Sequence, residues 1–416
     1  MRLKLSSFFP AALLALCLAF LMAAFPAESL RAAVKGVGIW WDVLFPALFP
    51  FLVLSEVMLG MGLVHFFGTL LDPLMRPVFR VPGIGGFVMT MGFVSGYPVG
   101  ARLTSQLWEQ RLLNREEGER LVSFTTSSDP IFLIGAVSVG FFHNPALAML
   151  LVAAHYGGAV LVGLAMRFHG RSKLERRDSG AASAHFRRRR GSIIRQALDA
   201  MHEARMSDGR PLGLMLQEGV GAALKLVFVI GGLVVFFSVV MEVLASANIM
   251  QLLYIVIHSA LQWFSFPAGL AEAVANGLFE VTLGVKSAAS ASGSLLHKAA
   301  IASWVLAWAG LSVHAQAMSL LHHTNLRYGP FLFARALHGL ISCALVFLLW
   351  NWLAPLQETL AAWGPLPLPS AEDSPASWLR QTMPFSVAGG AILLAFMLLA
   401  SLAICAGRAC VKRLAR

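Results

Sequence analysis

Long hydrophobic runs with few charges recur along most of the chain and are separated by short polar segments. Because a helix needs about 20 mostly apolar residues to cross the hydrocarbon core of a membrane, the pattern predicts an all-α polytopic membrane protein with about eight to ten transmembrane helices. Whether the segments at 65–79 and 249–266 span the membrane or lie at its interface stays open. The runs lie at 8–25, 39–63, 81–101, 121–141, 145–167, 222–246, 249–270, 272–286, 300–321, 333–353 and 385–407.

Two of these runs are too short and too rich in glycine to be ordinary spans. The segment at 82–101 contains six glycines, and the segment at 273–286 contains Gly277 and Gly284. Short apolar segments interrupted by glycine suggest hairpins that enter and leave the membrane on one side, with their backbone satisfied by protein or a water-filled cavity. We therefore predict two re-entrant Gly-rich hairpins.

Composition supports a membrane protein and excludes several other classes. The chain is 57% hydrophobic and 13% charged, with a mean hydropathy of +0.72, whereas roughly a quarter of the residues in soluble domains are charged. A water-soluble enzyme is thereby excluded. The four cysteines contain no pair at metal-ligand spacing, and no Walker A loop, dinucleotide fingerprint or nucleophile elbow occurs. We expect a non-enzymatic protein without cofactor, metal site or disulfide framework.

The positions of the basic residues behind the net charge of +11 indicate how the chain is oriented in the membrane. Eleven of the 32 Lys and Arg residues lie in one insert at about 168–211, and both termini are also basic. Lys and Arg collect in cytoplasmic loops. We therefore predict that the insert and both termini are cytoplasmic, and that the acidic segment at 355–384 lies across the membrane. The run Arg187–Arg190 favours anionic lipid over nucleic acid as a partner.

The two sides of the insert resemble each other weakly, at an offset of about 183 to 186 residues. Gly36 matches Gly219, and the pair Glu56 and Arg102 matches Glu242 and Lys286. Because charge places the starts of the two halves on opposite sides of the membrane, they are predicted to be inverted repeats, as in many transporters. The predicted domains are an N-terminal transmembrane anchor (1–35), a first repeat (36–167), a basic cytoplasmic loop (168–212), an inverted second repeat (213–353), an extracytoplasmic loop (354–384), and a C-terminal transmembrane helix with a basic tail (385–416).

Polar residues within otherwise apolar segments are the candidate binding site. Broken helices in inverted-repeat transporters bring their termini together near the membrane midplane. A hydroxyl-rich run ends at Asp129-Pro130, where proline disfavours helix at the preceding residue; the alternative is a helix cap at the membrane surface. The candidates are Ser95, Tyr97, Arg102, Ser123, Thr125, Thr126, Ser127, Ser128 and Asp129 in the first half, and Asn276, Glu280, Thr282 and Lys286 in the second.

Charged residues give the sharpest hypotheses. An ionisable side chain at the centre of a membrane helix costs about 2.5 to 3.5 kcal/mol on insertion scales, so Glu280 indicates function, unless it pairs with Lys286 or lies at headgroup level. Arg102 and Lys286 are placed to neutralise a small anionic substrate, or else extend to the interface. Glu56 and Glu242 are candidates to carry a coupling proton or cation, or to pair with the cations of the hairpins.

Several motifs resemble the YlbJ-type sporulation integral membrane proteins of endospore-forming bacteria. They are FPALFPF at 45–51, LMRPVFRVPG at 74–83, SGYPVGA at 95–101, SFTTSSDP at 123–130 and GFFHNP at 140–145. The likeness covers nearly the whole chain and is strongest in the first half. It implies two repeats similar to the nucleoside-recognition Gate domain. It also implies transport of dipicolinic acid (pyridine-2,6-dicarboxylate) from the mother cell across the outer forespore membrane, with a second copy or other spore-membrane proteins as partners.

Two other functions stay open at this point. A membrane scaffold or assembly factor for spore maturation would act through its loops. A nucleoside:cation symporter would use the same hairpins, although the acidic nucleoside-contacting motif of nucleoside transporters is not evident at 96–100.

Overall fold

The computed structural model describes residues 8–170, 192–362 and 391–405, and these ranges contain helices and turns but no strand. The all-α fold is thus confirmed. The first half contains α1 (Phe8–Ala24), α2 (Pro26–Ile39), a π-helical segment (Trp40–Leu44), α3 (Phe45–Gly60), α4 (Leu63–Phe79), α5 (Ile84–Ser95), α6 (Tyr97–Glu109), α7 (Arg115–Thr125), a second π-helical segment (Ile131–Phe141) and α8 (Leu147–Met166). The remainder contains α9 (Ile193–Asp208), α10 (Leu212–Ser246), α11 (Ile249–Gln262), α12 (Leu270–Phe279), α13 (Val281–Ser290), α14 (Leu295–Trp308), α15 (Gly310–Leu321), α16 (Tyr328–Ala362) and α17 (Ala391–Cys405).

Fewer helices are long enough to span a membrane than the eight to ten expected. Four segments of the described ranges qualify by length and hydropathy: α8, α10, α14 with α15, and the Tyr328–Leu353 part of α16. The number rises to six if two sharply bent pairs each count as one span, α1 with α2 and α3 with α4. The count is lower because several apolar runs fold as helices of 10–17 residues, among them α5 and α12 of the two hairpins.

Some predicted boundaries fall inside helices. The boundary between 35 and 36 lies within α2, and α16 continues to Ala362, into the predicted extracytoplasmic loop. Residues 171–191 of the basic insert, including the run at 187–190, lie outside the described residues, as do the rest of the predicted extracytoplasmic loop and the basic tail. The assignment of these segments to sides of the membrane stays a prediction.

Local sequence explains where several of the helices begin. Proline occupies the first turn of α2 and of α6, where its missing N–H costs nothing. Asn114 and Glu117 form a capping box at the start of α7: the Asn114 side chain accepts from the Glu117 N–H at 2.8 Å, and the Glu117 carboxylate accepts from the Asn114 N–H at 3.1 Å. Ser294 caps α14 through its hydroxyl.

The two halves repeat the same order of elements. In each half a long helix is followed by a shorter one, then a hairpin of two short helices, a helix that breaks, and a last long helix. The matched elements are α2–α3 with α10, α4 with α11, α5–α6 with α12–α13, α7 with α14, the second π-helical segment with α15, and α8 with α16.

Matched long helices pack against each other in opposite directions. A Cβ added at Gly36, near the end of α2, would lie 2.9 Å from the Val235 backbone, whereas one added at Gly219, early in α10, would lie 3.4 Å from the Glu56 side chain, late in α3. The chain thus runs from Gly36 to Glu56 as α10 runs back from Val235 to Gly219. The same antiparallel order holds for α8 and α16, whose opposite ends share two core clusters. A two-fold axis across the helices produces this arrangement. The inverted topology of the repeats is therefore confirmed.

Both predicted pairs of short Gly-rich helices are present, and glycines make the close contacts in each. In the second hairpin, a Cβ at Gly284 would lie 2.3 Å from the Gly277 Cα atom, so the two helices touch through their backbones. In the first hairpin, Gly92 and Gly100 both lie against the Thr125 carbonyl at the end of α7, where an added Cβ would come within 2.5 Å. Glycine is required at these positions because the backbones leave no room for a side chain.

The molecule has two distinguishable sides. We call the side on which α9 packs the insert side; there, Gly62 lies against the Met201 carbonyl of α9. The opposite side, where α2 begins and α10 ends, is the far side. Charge predicts that the insert side is cytoplasmic.

Candidate functional site

Four helix breaks, two from each half, meet in the middle of the molecule. In the first half, Gly96 (φ 87°) separates α5 from α6, and the segment 126–130 follows α7. In the second half, extended Glu280 separates α12 from α13, and Ala309 and Gly310 separate α14 from α15 with φ of 74° and 75°.

The breaks are in direct contact. Gly96 lies against the Asp129 carboxylate, and Gly310 lies against the Phe279 carbonyl. The Tyr97 hydroxyl donates to the Leu306 carbonyl at 2.8 Å, which ties the first hairpin to the broken helix of the second half.

A cavity of about 480 Å³ lies beside these breaks, within the roughly 300–1,000 Å³ of small-molecule sites. Its walls come from α2, α10, α11, the second hairpin and the start of α6. Seven predicted site residues line it: Tyr97, Asp129, Asn276, Glu280, Thr282, Lys286 and the coupling candidate Glu242.

The polar wall of the second hairpin is held in place by its own hydrogen bonds. The Asn276 amide donates to the Ser287 hydroxyl at 2.9 Å, and the Tyr254 hydroxyl donates to the Asn276 carbonyl oxygen at 3.2 Å. These bonds fix the two helices of the hairpin and α11 around one face of the cavity.

Two carboxylates lie at the positive ends of broken helices. The Glu280 side chain accepts from the Leu283 N–H at 2.7 Å and caps α13. Asp129 accepts from the Phe132 N–H at 2.9 Å and also lies beside Gly96, where α6 begins. Anions are stabilised at helix N-termini, so the protein itself supplies the negative charge that a substrate was expected to bring there.

Charged side chains of both signs line the cavity. Lys35 and Lys286 face the same space as Asp129, Glu242, Glu272 and Glu280. Lys35 lies close enough to Glu280 to interact electrostatically. Among the described residues no ion pair within 4.0 Å joins Lys286 to Glu280 or to Glu242.

Arg102 and Glu56 lie outside the cavity and pair with each other. An Arg102 guanidinium nitrogen lies 3.2 Å from the Glu56 carboxylate, and the Gln106 amide donates to the same oxygen at 2.5 Å. In this conformation Arg102 and Lys286 therefore do not face one substrate. Glu56 is therefore the structural partner of the hairpin cation Arg102 in this structure.

The hydroxyl-rich segment lies behind the cavity wall. Thr125 and Thr126 each donate to a carbonyl one turn earlier in α7, and Ser123 donates to the Arg120 carbonyl. The Ser127 hydroxyl lies 2.8 Å from His155 Nε2. The predicted site residues buried outside the cavity lining are Ser95, Ser123, Thr125, Thr126, Ser127 and Ser128.

Arg335 is the central charged residue that the sequence comparison missed. Its guanidinium is fully buried and donates to the Thr126 carbonyl at 2.5 Å, to the Ala307 carbonyl at 3.3 Å, and to the Ser123 carbonyl. These carbonyls belong to the ends of α7 and α14, where helices lack intrahelical donors. A basic residue inside an apolar run was the available signal.

Lys35 and Glu272 also line the cavity but were not among the predicted site residues. The matched positions in the other half carry residues of other types, so comparison of the halves gave no signal for them. Gln316 of α15 lines the cavity as well. Within the described ranges, no three His, Cys, Asp or Glu side chains are grouped so as to hold a metal ion.

Comparison with known proteins identifies the family of the chain. A family model described as Gate, nucleoside recognition, matches residues 42–160. The chain is 42% identical over 340 residues to the sporulation integral membrane protein YlbJ of Bacillus subtilis (strain 168), a match that covers 80% of this chain and 81% of that protein. No solved structure matches. The chain therefore belongs to the family of YlbJ-type sporulation integral membrane proteins, multi-pass proteins with a Gate domain.

Proposed function

We propose that this protein is a secondary carrier that moves dipicolinic acid from the mother cell across the outer forespore membrane. The observation that carries the proposal is the cavity at the meeting point of four helix breaks from two inverted halves. Membership in a sporulation family supports the setting, and the resemblance noted from the sequence supplies the cargo. The proposed role includes no covalent chemistry.

The cavity offers groups that suit a small dicarboxylate. Lys35 and Lys286 provide two cationic contacts, and the amides of Asn276 and Gln316 provide neutral donors. A hydrogen bond to a charged group contributes about 1.5 to 3 kcal/mol, so each of these groups supplies a favourable contact for a carboxylate.

The carboxylates of the cavity would repel an anionic cargo. Asp129, Glu242, Glu272 and Glu280 outnumber the two lysines, and a dianion adds negative charge to a space with a low effective dielectric constant. We therefore propose that the cargo enters together with protons or a cation, and that Glu242 and Glu280 take up this charge.

Uptake of labelled dipicolinate into proteoliposomes tests the proposal. We expect flux above that of empty liposomes, faster with an imposed proton or cation gradient. Lys286→Gln should reduce uptake about tenfold, equivalent to roughly 1.4 kcal/mol of cargo binding. Lys298→Gln, on neighbouring α14 and outside the cavity lining, is the matched control and should transport as the unchanged protein does. Absence of dipicolinate flux in the unchanged protein would refute the proposal.

A nucleoside:cation symporter is the second candidate, because the matching family model is described as nucleoside recognition. Labelled uridine in the same vesicles distinguishes the two cargoes. A scaffold predicts a third result: neither cargo moves, deletion of 171–210 abolishes the sporulation role, and Glu280→Gln retains it.

A further inference from the structure

The two halves share their fold but differ at one matched pair of charged residues. Glu56 and Arg102 of the first half correspond to Glu242 and Lys286 of the second, at offsets of 186 and 184 residues. The first pair forms an ion pair, whereas the second pair lines an open cavity without one among the described residues.

The paired residues close the insert side. Glu56 lies on α3 beside Gly219, near the start of α10, and Arg102 and Gln106 reach it from α6. Gln106 is 8% exposed. The contact therefore joins the first hairpin to the long helix of its own half on this side.

The matched residues leave the far side open. Glu242 lies near the end of α10, and Lys286 lies on α13 of the second hairpin. Ser290, the counterpart of Gln106, is exposed and lines the cavity. The cavity thus occupies, on the far side, the position that is closed by Glu56, Arg102 and Gln106 on the insert side.

The geometry points to Glu242 and Lys286 as the second of two equivalent gates: they pair when Glu56 and Arg102 separate, and the cavity then opens to the insert side. Two halves of like fold adopt each other's arrangement at small cost, so exchanging their roles gives the opposite-facing state. The Glu56 and Arg102 side chains are 21% and 30% exposed. Partly exposed ion pairs of this kind are weak enough to break and form again in each cycle. The inference rests on the proposed transport role, but its test needs no cargo.

Labelling of a single cysteine by a membrane-impermeant maleimide reports on the closed gate. Gln106→Cys is introduced into full-length protein whose native cysteines are replaced by serine, and the protein is reconstituted in liposomes. Glu56→Gln should increase the labelling rate at this cysteine by about two- to fivefold, the effect of losing a partly exposed ion pair on a two-state equilibrium. Arg102→Gln should give the same increase and is the second variant if Glu56→Gln does not fold.

The decisive variant is in the other half. Adding Lys286→Gln to Glu56→Gln should return the labelling rate toward its starting value, because the opposite state loses its own ion pair. Two controls should change nothing: Lys298→Gln in that background, and Glu116→Gln alone, which breaks the Arg115–Glu116 pair, also 3.2 Å long. An unchanged labelling rate on addition of Lys286→Gln would mean that Glu56→Gln loosens the first hairpin locally, and would overturn the second gate.

The labelling and uptake experiments fail independently. Labelling that responds to Lys286→Gln, without dipicolinate flux in the unchanged protein, refutes the cargo and supports the gates. If dipicolinate is transported but the labelling rate does not change on addition of Lys286→Gln, the gates are refuted and the cargo is supported.

Discussion

Replacing Arg335 should destabilise the centre of the fold more than replacing any exposed arginine. The guanidinium satisfies three carbonyls at the ends of α7 and α14, and no acidic residue of the described ranges forms an ion pair with it. Arg335→Met keeps much of the side-chain volume but removes every donor. The substitution therefore isolates the hydrogen bonds and the charge.

The magnitude follows from two opposing terms. Each of the three carbonyls that Arg335→Met leaves without a donor costs about 1 to 3 kcal/mol. Removing a buried cation recovers several kcal/mol of its desolvation cost. We expect a net loss of about 3 kcal/mol in the free energy of unfolding, roughly two orders of magnitude in the equilibrium constant.

Equilibrium unfolding in mixed micelles, followed by tryptophan fluorescence as SDS is increased, measures this loss. Arg335→Lys keeps the charge but lacks the planar arrangement of donors, and should fall between the unchanged protein and Arg335→Met. Arg195→Met, at an exposed position on α9, is the matched control and should unfold as the unchanged protein does. If Arg335→Met unfolds within about 0.5 kcal/mol of the unchanged protein, a typical surface effect, the three hydrogen bonds do not organise the centre.

Two further predictions concern Glu119 of α7 and Gly284 of the second hairpin. Burial alone would raise the pKa of Glu119, but hydrogen bonds from Arg327 and His169 outweigh it and lower the pKa below its usual 4.5; the resulting stabilisation is present above about pH 4.5 and is lost as the pH falls through the lowered pKa. Glu119→Gln should therefore reduce the thermal stability at pH 7 and match the unchanged protein in acid, and an equal difference at both pH values would contradict this. Gly284→Ala should cost about 1 to 3 kcal/mol because its Cβ meets the Gly277 backbone. Gly221→Ala, whose Cβ meets nothing within 4 Å inside α10, should keep or raise the stability, since alanine is the better helix former. Equal midpoints of the two variants in the SDS titration would show that the hairpin can open without cost.

The sequence pattern predicted the repeat because each half needs glycines at the close contacts of its hairpin. Glycine is needed wherever two backbones touch, so Gly277 and Gly284 marked the second hairpin before its geometry was known. The number of spans was less predictable, since hydropathy reports how apolar a run is but not where it bends. The 83° bend between α3 and α4 follows Gly62, whose φ of 77° a hydropathy window does not detect.

Part of the site was predicted from charged residues within apolar segments. Glu280 and Lys286 were identified because a charge in an apolar segment needs an explanation, and both line the cavity. Arg102 was grouped with them by symmetry, but symmetry of sequence does not indicate which of two equivalent sites is open in a given conformation. Arg335 was overlooked because its counterpart in the first half, Val152, is apolar, and because its partners are backbone carbonyls that no side-chain pattern reveals.

The reciprocal contacts of Gly36 and Gly219 constrain how the sequence can change. Each half offers the other the same surface, as in a dimer with an isologous interface, so this surface must be complementary to itself. A larger side chain on one half therefore changes only one of the two equivalent contacts, unless the matched position of the other half changes as well. The two hairpins keep matched cations, Arg102 and Lys286. The interface between the halves is constrained most at Gly36, where an added Cβ would lie 2.9 Å from the Val235 backbone, so the backbone of one half limits the side chains that the other half can carry.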